Sequence, residues 1–231
     1  MKIENTKIQN FIAISDIISL LNMSCGFISI INSINQNFEL AAIFMILAIM
    51  FDSSDGWVAR KINRQDSLGF GKNIDSLSDV VSFGVAPAVF IYTSIKTTSP
   101  TLQAIVFLIS LFIVICGVLR LTRYNVISDH VKTSDFIGFP IPGIAFIIAT
   151  YYLTGTYNPS IALLLSIFVS IMMISNVRYD KFSNRTILAI SCILILILIA
   201  QIKLILFNIN IPALILLIFT LYYLIINLIK N

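Results

Sequence analysis

Eight apolar runs follow one another along this chain, at about residues 16–34, 38–62, 72–97, 101–124, 138–156, 160–177, 186–205 and 210–229. Each approaches the roughly 20 mostly apolar residues that a helix needs to cross a bilayer. Hydrophobic residues make up 58% of the 231, charged residues only 11%, and the mean hydropathy is +0.97. A soluble domain of this size carries about a quarter of its residues as charges. Folded in water, the chain would leave far more greasy surface than one small core could bury. The pattern therefore predicts an all-α, polytopic membrane helix bundle with eight transmembrane helices.

The segment before the first run, residues 1–15, mixes Lys2, Glu4, Lys7 and Asn10 with Ile3, Ile8, Phe11 and Ile12. Polar residues interrupt any signal-peptide core, and the reading is an interfacial amphipathic helix. Residues 16–231 form one membrane domain, because no linker or repeat divides them. The formal charge of +4 does not point to nucleic acid, since Lys and Arg sit between the apolar runs rather than in a stripe with aromatics. With the N-terminus in the cytoplasm, thirteen of the 15 Lys and Arg fall on the inner side, and only Lys96 and Lys203 lie outside. That asymmetry is what the positive-inside rule requires. It predicts both termini, and the ends of the runs near Arg60 and Lys72, on the cytoplasmic face of the cell membrane. Cys25, Cys116 and Cys192 are widely spaced, without metal-ligand or disulfide spacing, and read as small hydrophobes. His130 reads as a solvated loop residue.

Acidic residues break the apolar pattern at one place. Asp52 and Asp55 stand three apart in the second run, and Asp75 and Asp79 four apart at the start of the third. Both spacings put a pair on one helical face. Folded as an antiparallel hairpin turning near residue 65, the two runs bring Asp52 level with Asp79 and Asp55 level with Asp75. At about 1.5 Å per residue, all four lie roughly 5 to 12 Å from the helix ends. Four carboxylates at one depth in a low-dielectric site must be neutralised by protons or cations. All-oxygen ligation suits hard divalent ions, Mg²⁺, Mn²⁺ or Ca²⁺, and four carboxylates can hold two of them. Two such ions clamp both sides of a phosphorus centre during displacement. Gly56 and Gly71 flank the acids, where a missing side chain permits close helix packing or the approach of a phosphate. Arg60, one turn beyond Gly56, can reach phosphate oxygens.

Asp52, Asp55, Gly56, Ala59 and Arg60, followed by Gly71, Asp75 and Asp79, resemble the D-x2-D-G-x2-A-R … G-x3-D-x3-D signature of the CDP-alcohol phosphotransferase family. The spacer from 61 to 70 is two residues longer than the family's usual eight or so, and reads as a longer cytoplasmic turn. The stretches 75–88, 119–125 and 138–143 narrow the resemblance to the phosphatidylserine synthase branch, which joins a CDP-activated lipid to L-serine and releases CMP. That resemblance implies two divalent cations, Mg²⁺ or Mn²⁺, on the four aspartates, with Asp79 also taking the proton of the serine hydroxyl. It further implies that Gly56, Ala59, Arg60 and Gly71 surround the CMP moiety of the CDP-lipid, and that the protein is a homodimer. Arg120 and Arg123, on one face at the inner end of the fourth run, are candidates for the serine carboxylate or the lipid phosphate. Ser82 and Asn22 are further candidate contacts, and Pro140 and Pro142 shape the start of the fifth run.

Two other readings share the same acids. One keeps the chemistry but uses glycerol phosphate or inositol phosphate as acceptor, which would favour a richer basic pocket. The other is a divalent-cation transporter, against which stands the scarcity of polar residues in the outer halves of the runs.

Overall fold

The structure, a computed structural model, describes residues 7–62, 66, 68–130, 136–180 and 185–230. Each apolar run carries one helical rod: α1 (Ile14–Ile34), α2 (Phe38–Lys61), α3 (Phe70–Asp79) continuing through a π-helical turn (Val80–Val85) into α4 (Ala86–Ser94), α5 (Pro100–His130), α6 (Pro142–Leu153), α7 (Pro159–Ile174), α8 (Arg185–Ile199) and α9 (Ile211–Lys230). Two short antiparallel ribbons join them, β1 (Phe136–Ile137) with β2 (Arg178–Tyr179), and β3 (Ile205–Leu206) with β4 (Ile209–Asn210). Among the described residues, four rods are long and apolar enough to cross a membrane: Ile14–Ile34, Phe70–Ser94, Pro100–Ser128 and Ile211–Lys230. Pro142–Leu153, Pro159–Ile174 and Thr186–Ile199 are shorter apolar helices.

Helix α1 shows what solvent the fold is built for. Its buried positions include Ser15, Ser19, Asn22, Gly26, Ser29 and Ser33, a small-residue stripe at alternating spacings of four and three. Its large apolar side chains point outward, with Ile17 52% and Phe27 59% exposed. This is the reverse of a helix in water, where the apolar stripe faces the core. In lipid, small residues belong at the helix interface because they let backbones approach. Accordingly the Ser29 hydroxyl donates to the Ala41 carbonyl of α2 at 2.8 Å. A Cβ on Gly26 would stand 2.6 Å from the Ser82 Cα, so α1 and the π-helical turn touch through backbone.

The π-helical turn has an identifiable cause. Pro87 has no N–H to give the carbonyl one turn back, and its ring crowds that carbonyl. The ladder slips instead, and the Ala86 N–H reaches Val81, five residues earlier. Such single-turn slips inside α-helices concentrate at functional sites.

Several run boundaries differ from expectation. The fifth run is helical only from Pro142, because Gly138 sits at φ +78° and Pro140 lacks a donor. Pro142 opens α6 at its first turn, as its fixed φ favours. The seventh rod stops at Ile199, followed by Gln201 at φ 55° and a hairpin with Phe207 and Asn208 also left-handed. Helix α5 continues beyond residue 124 to His130, whose side chain lies outside the described residues. Of the expected amphipathic helix over residues 1–15, residues 1–6 lie outside the described residues. Ile8–Asn10 form one 3₁₀ turn, and Phe11 packs on Phe70 with ring centroids 5.3 Å apart.

Candidate active site

The four aspartates meet between the C-terminal half of α2 and α3, whose last residue is Asp79. Carboxylate oxygens of Asp52, Asp55 and Asp75 lie within 4.8 Å of one another. The Asp79 carboxyl group meets that of Asp52. Asp55 and Asp79 are buried and the other two half-buried, and Asp75 Oδ1 has no hydrogen-bond partner among the described residues. The hairpin is more open than two packed rods. Helices α2 and α3 each pack on α1, which lends its first turns to the space between them.

That space is a cavity of about 490 Å³. Asp55 and Asp75 line its floor, Gly56, Ala59 and Arg60 its α2 wall, Gly71 and Lys72 its α3 wall, and Ser15, Asp16 and Ser19 its α1 wall. Arg60 curls back over Gly56, where a Cβ would stand 3.3 Å from the guanidinium Nη1. Gly69 of the 61–70 spacer and the signature Gly71 divide their work. Gly69 holds the left-handed conformation (φ +71°) that starts α3, whereas Gly71 is buried in the cavity wall. Asp66 accepts from the Lys72 amide at 3.0 Å, and Lys72 Nζ donates to the Asn125 carbonyl of α5 at 2.8 Å.

Helix α1 also orients the acids. The Ser19 hydroxyl donates to Asp55, and Asn22 Nδ2 donates to Asp79 Oδ1 at 3.1 Å. Asn22 is fully buried, and the Ser82 hydroxyl donates to its backbone carbonyl at 2.9 Å. Ser82 therefore braces α1 instead of facing the cavity, while Asn22 acts directly on an acid.

The two arginines of α5 part company. Arg123 donates to the carbonyls of Ile137, Met173, Ile174 and Ser175, tying α5 to the end of α7 and to β1. Gly138 makes room for it, since a Cβ there would strike both the Arg123 guanidinium and the Met173 carbonyl. Arg120 is 5% exposed, lies 5.3 Å over the Tyr124 ring, and interacts electrostatically with Asp79 and Asp52. It finds no hydrogen bond among the described residues, and its Nε is a buried donor without a partner.

The donor set fits a divalent cation. Oxygens bound to one Mg²⁺ or Ca²⁺ lie about 2.0 to 2.6 Å from it, so mutual separations below 4.8 Å are what a shared ion needs. The Asp75 Oδ1 oxygen, unpartnered among the described residues, offers a ligand.

The profile of the family described as CDP-alcohol phosphatidyltransferase matches residues 12–177. The chain belongs to that family. As a CDP-alcohol phosphatidyltransferase, it is 49% identical over 175 residues to the archaetidylserine synthase of Methanothermobacter thermautotrophicus, covering 76% of this chain and 72% of that protein. It is also similar to two proteins named CDP-diacylglycerol–serine O-phosphatidyltransferase. The one from Methanocaldococcus jannaschii is 36% identical over 179 residues, 77% of this chain and 79% of that one. The one from Bacillus subtilis is 33% identical over 170 residues, 73% of this chain and 90% of that one. In this CDP-alcohol phosphatidyltransferase the eight signature positions, from Asp52 to Asp79, all lie in the carboxylate cluster or the cavity wall beside it. Ser15, Asp16 and Ser19 of the same wall lie in the small-residue stripe of α1, or beside it.

Proposed function

We propose that this chain transfers the phosphatidyl or archaetidyl group of a CDP-activated lipid to the hydroxyl of L-serine and releases CMP. The observation that carries the reading is a cluster of four carboxyl groups, two of which, Asp55 and Asp75, line a cavity whose walls include Gly56, Ala59, Gly71 and the Arg60 side chain. The names of the relatives support the serine acceptor. In this reading Gly56, Ala59 and Gly71 leave room for the nucleotide, and Arg60 holds its phosphate. Asp52, Asp55, Asp75 and Asp79 hold two divalent cations, Mg²⁺ or Mn²⁺. Bound there, such ions neutralise the pyrophosphate and stabilise the departing CMP oxygen. Asp79, steadied by Asn22, accepts the serine hydroxyl proton while the hydroxyl oxygen bonds to the lipid-bearing phosphorus and the pyrophosphate bond breaks. Holding these partners in line is the main source of acceleration in phosphoryl-type transfer.

The same reading sets all eight rods across the cell membrane, with both termini and the cavity at the cytoplasmic face and residues 1–15 lying at the interface. It pairs two copies as a homodimer. Supporting the orientation, Arg60, Lys61 and Lys72 cluster at the cavity end, whereas Lys203 at the other end is paired with Glu39 at 2.8 Å. The test is CMP release by the purified protein with CDP-lipid and Mn²⁺ or Mg²⁺, offering serine, glycerol phosphate and inositol phosphate in turn. Serine-dependent release is expected. Release only with a phosphate acceptor would reassign the acceptor, and Mn²⁺ uptake into proteoliposomes without CMP release would replace the enzyme with a transporter.

A further inference from the structure

Among the described residues, Arg120 is a buried charge whose donors the protein leaves unused. A guanidinium carries five N–H donors, yet this one is 5% exposed and makes no hydrogen bond among the described residues. Burying guanidinium donors without hydrogen-bond acceptors is unfavourable even where carboxylates lie nearby. Its position relative to the cavity is equally telling. Arg60 and Lys72 line the cavity beside Asp55 and Asp75, and Arg120 does not. Its first electrostatic neighbour is Asp79, on the other flank of the carboxylate cluster.

A second orphaned group shares two neighbours with Arg120, Phe136 and Tyr223. The Tyr179 side chain is fully buried, and its hydroxyl has no partner among the described residues. Tyr179 stands directly opposite Phe136 in the β1–β2 ribbon, so the two side chains project from the same face about 5 Å apart. Arg120 lies 5.9 Å over that Phe136 ring. Tyr223 of α9 connects the two groups, with its ring 5.7 Å from Tyr179 and in electrostatic contact with Arg120. Burial pushes the Tyr179 phenol up to about 12, so near neutral pH it is an uncharged donor.

The geometry points to an acceptor subsite in which Arg120 and the Tyr179 hydroxyl together bind the carboxylate of the incoming amino-acid alcohol, with Tyr179 setting the preference for that group. This rests on the transferase reading above. One guanidinium and one hydroxyl match a single monoanionic carboxylate. A phosphate group, with about twice the charge, asks for further cations. The subsite adjoins Asp79, so a short molecule anchored by its carboxylate at Arg120 presents its hydroxyl to the proposed base. The nucleotide diphosphate is left to the Arg60 side.

The test compares L-serine with L-serinamide, in which a neutral amide replaces the carboxylate, in the wild type and in Tyr179→Phe. The variant keeps the ring and removes only the hydroxyl. A hydrogen bond to a charged group predicts a rise in serine KM of about ten- to hundredfold. kcat should stay within about threefold, the CDP-lipid KM should be unchanged, and serinamide kinetics should be unaltered. Thermal unfolding of the ligand-free variant should not fall, because the hydroxyl bonds nothing among the described residues. Arg120→Gln should lose the same preference for serine over serinamide, and it carries the test should Tyr179→Phe fail to fold. An unchanged serine KM, or an equal loss with both acceptors, overturns the subsite while leaving the transferase intact. A wild-type protein that releases no CMP with serine sinks both.

Discussion

Two polar cavities of similar size lie at opposite ends of this bundle, and they treat charge in opposite ways. The far one, about 450 Å³, is lined by Glu39, Tyr152, Thr154 and Lys203 beneath the β3–β4 hairpin. Its two charges neutralise each other at 2.8 Å and remain half exposed. Its surroundings are aromatic, with Phe38, Phe90, Tyr152 and Tyr157 packed edge to face or tilted. The near one, about 490 Å³, opens on the four-carboxyl cluster through Asp55 and Asp75, with Arg60 and Lys72 in its walls. Charge in an apolar chain is tolerated when paired, and when it is left unpaired it marks a place where something binds.

That contrast is open to attack, beginning with the strongest expected effect. Asp79→Asn should lower CMP release by about 10³-fold, within the range of general-base contributions, with CDP still bound; near-normal turnover would remove the base. Asn22→Leu, which takes away the donor to Asp79 Oδ1, should lower kcat by about 10²-fold through misplacement. Its CDP-lipid KM should scarcely move, and equal damage to KM would make Asn22 a binding residue. Arg123→Ala should act on stability instead of chemistry. It frees several carbonyls at the α5–α7 junction, at a cost of about 3 kcal/mol. A lowered melting temperature with normal kinetics per folded molecule is expected, and a selective rise in serine KM would return Arg123 to the substrate. Glu39→Gln at the far cavity should cost at most about 1 kcal/mol, as half-exposed ion pairs do, and leave CMP release unchanged. A large loss there would mean that the two ends are coupled.

The carboxylate cluster was legible in the sequence because it depends on local spacing, three and four residues along two helices, and on one reversal between them. The stripe in α1 was also written there, but hydropathy averaged over a run hides six small residues among isoleucines and phenylalanines. Reading Ser15, Ser19, Gly26, Ser29 and Ser33 with Asn22 as one face would have found the third wall of the cavity. Arg120 and Arg123 share a helix, three residues apart, and local sequence gives them equal claims. Their fates diverge only through Gly138 and the end of α7, distant in the chain, which is why tertiary packing alone separates them. Tyr179 carried no signal. Ribbon pairing brings it, from more than forty residues away, beside the Phe136 ring that Arg120 overlies. The over-long seventh run failed for a different reason: Ile202, Leu204 and Ile205 are apolar, but their exposed hairpin is not helical.

The slipped turn at 80–85 has one more consequence. An extra residue in one turn advances everything beyond it by about 100° around the axis, so the half-rod holding Asp75 and Asp79 and the half-rod burying Phe90 and Ile91 are set to independent angular phases. The acids can be aimed at the cavity without dragging the packing of the outer half out of register. Removing one residue between 80 and 85 would force a choice between the two.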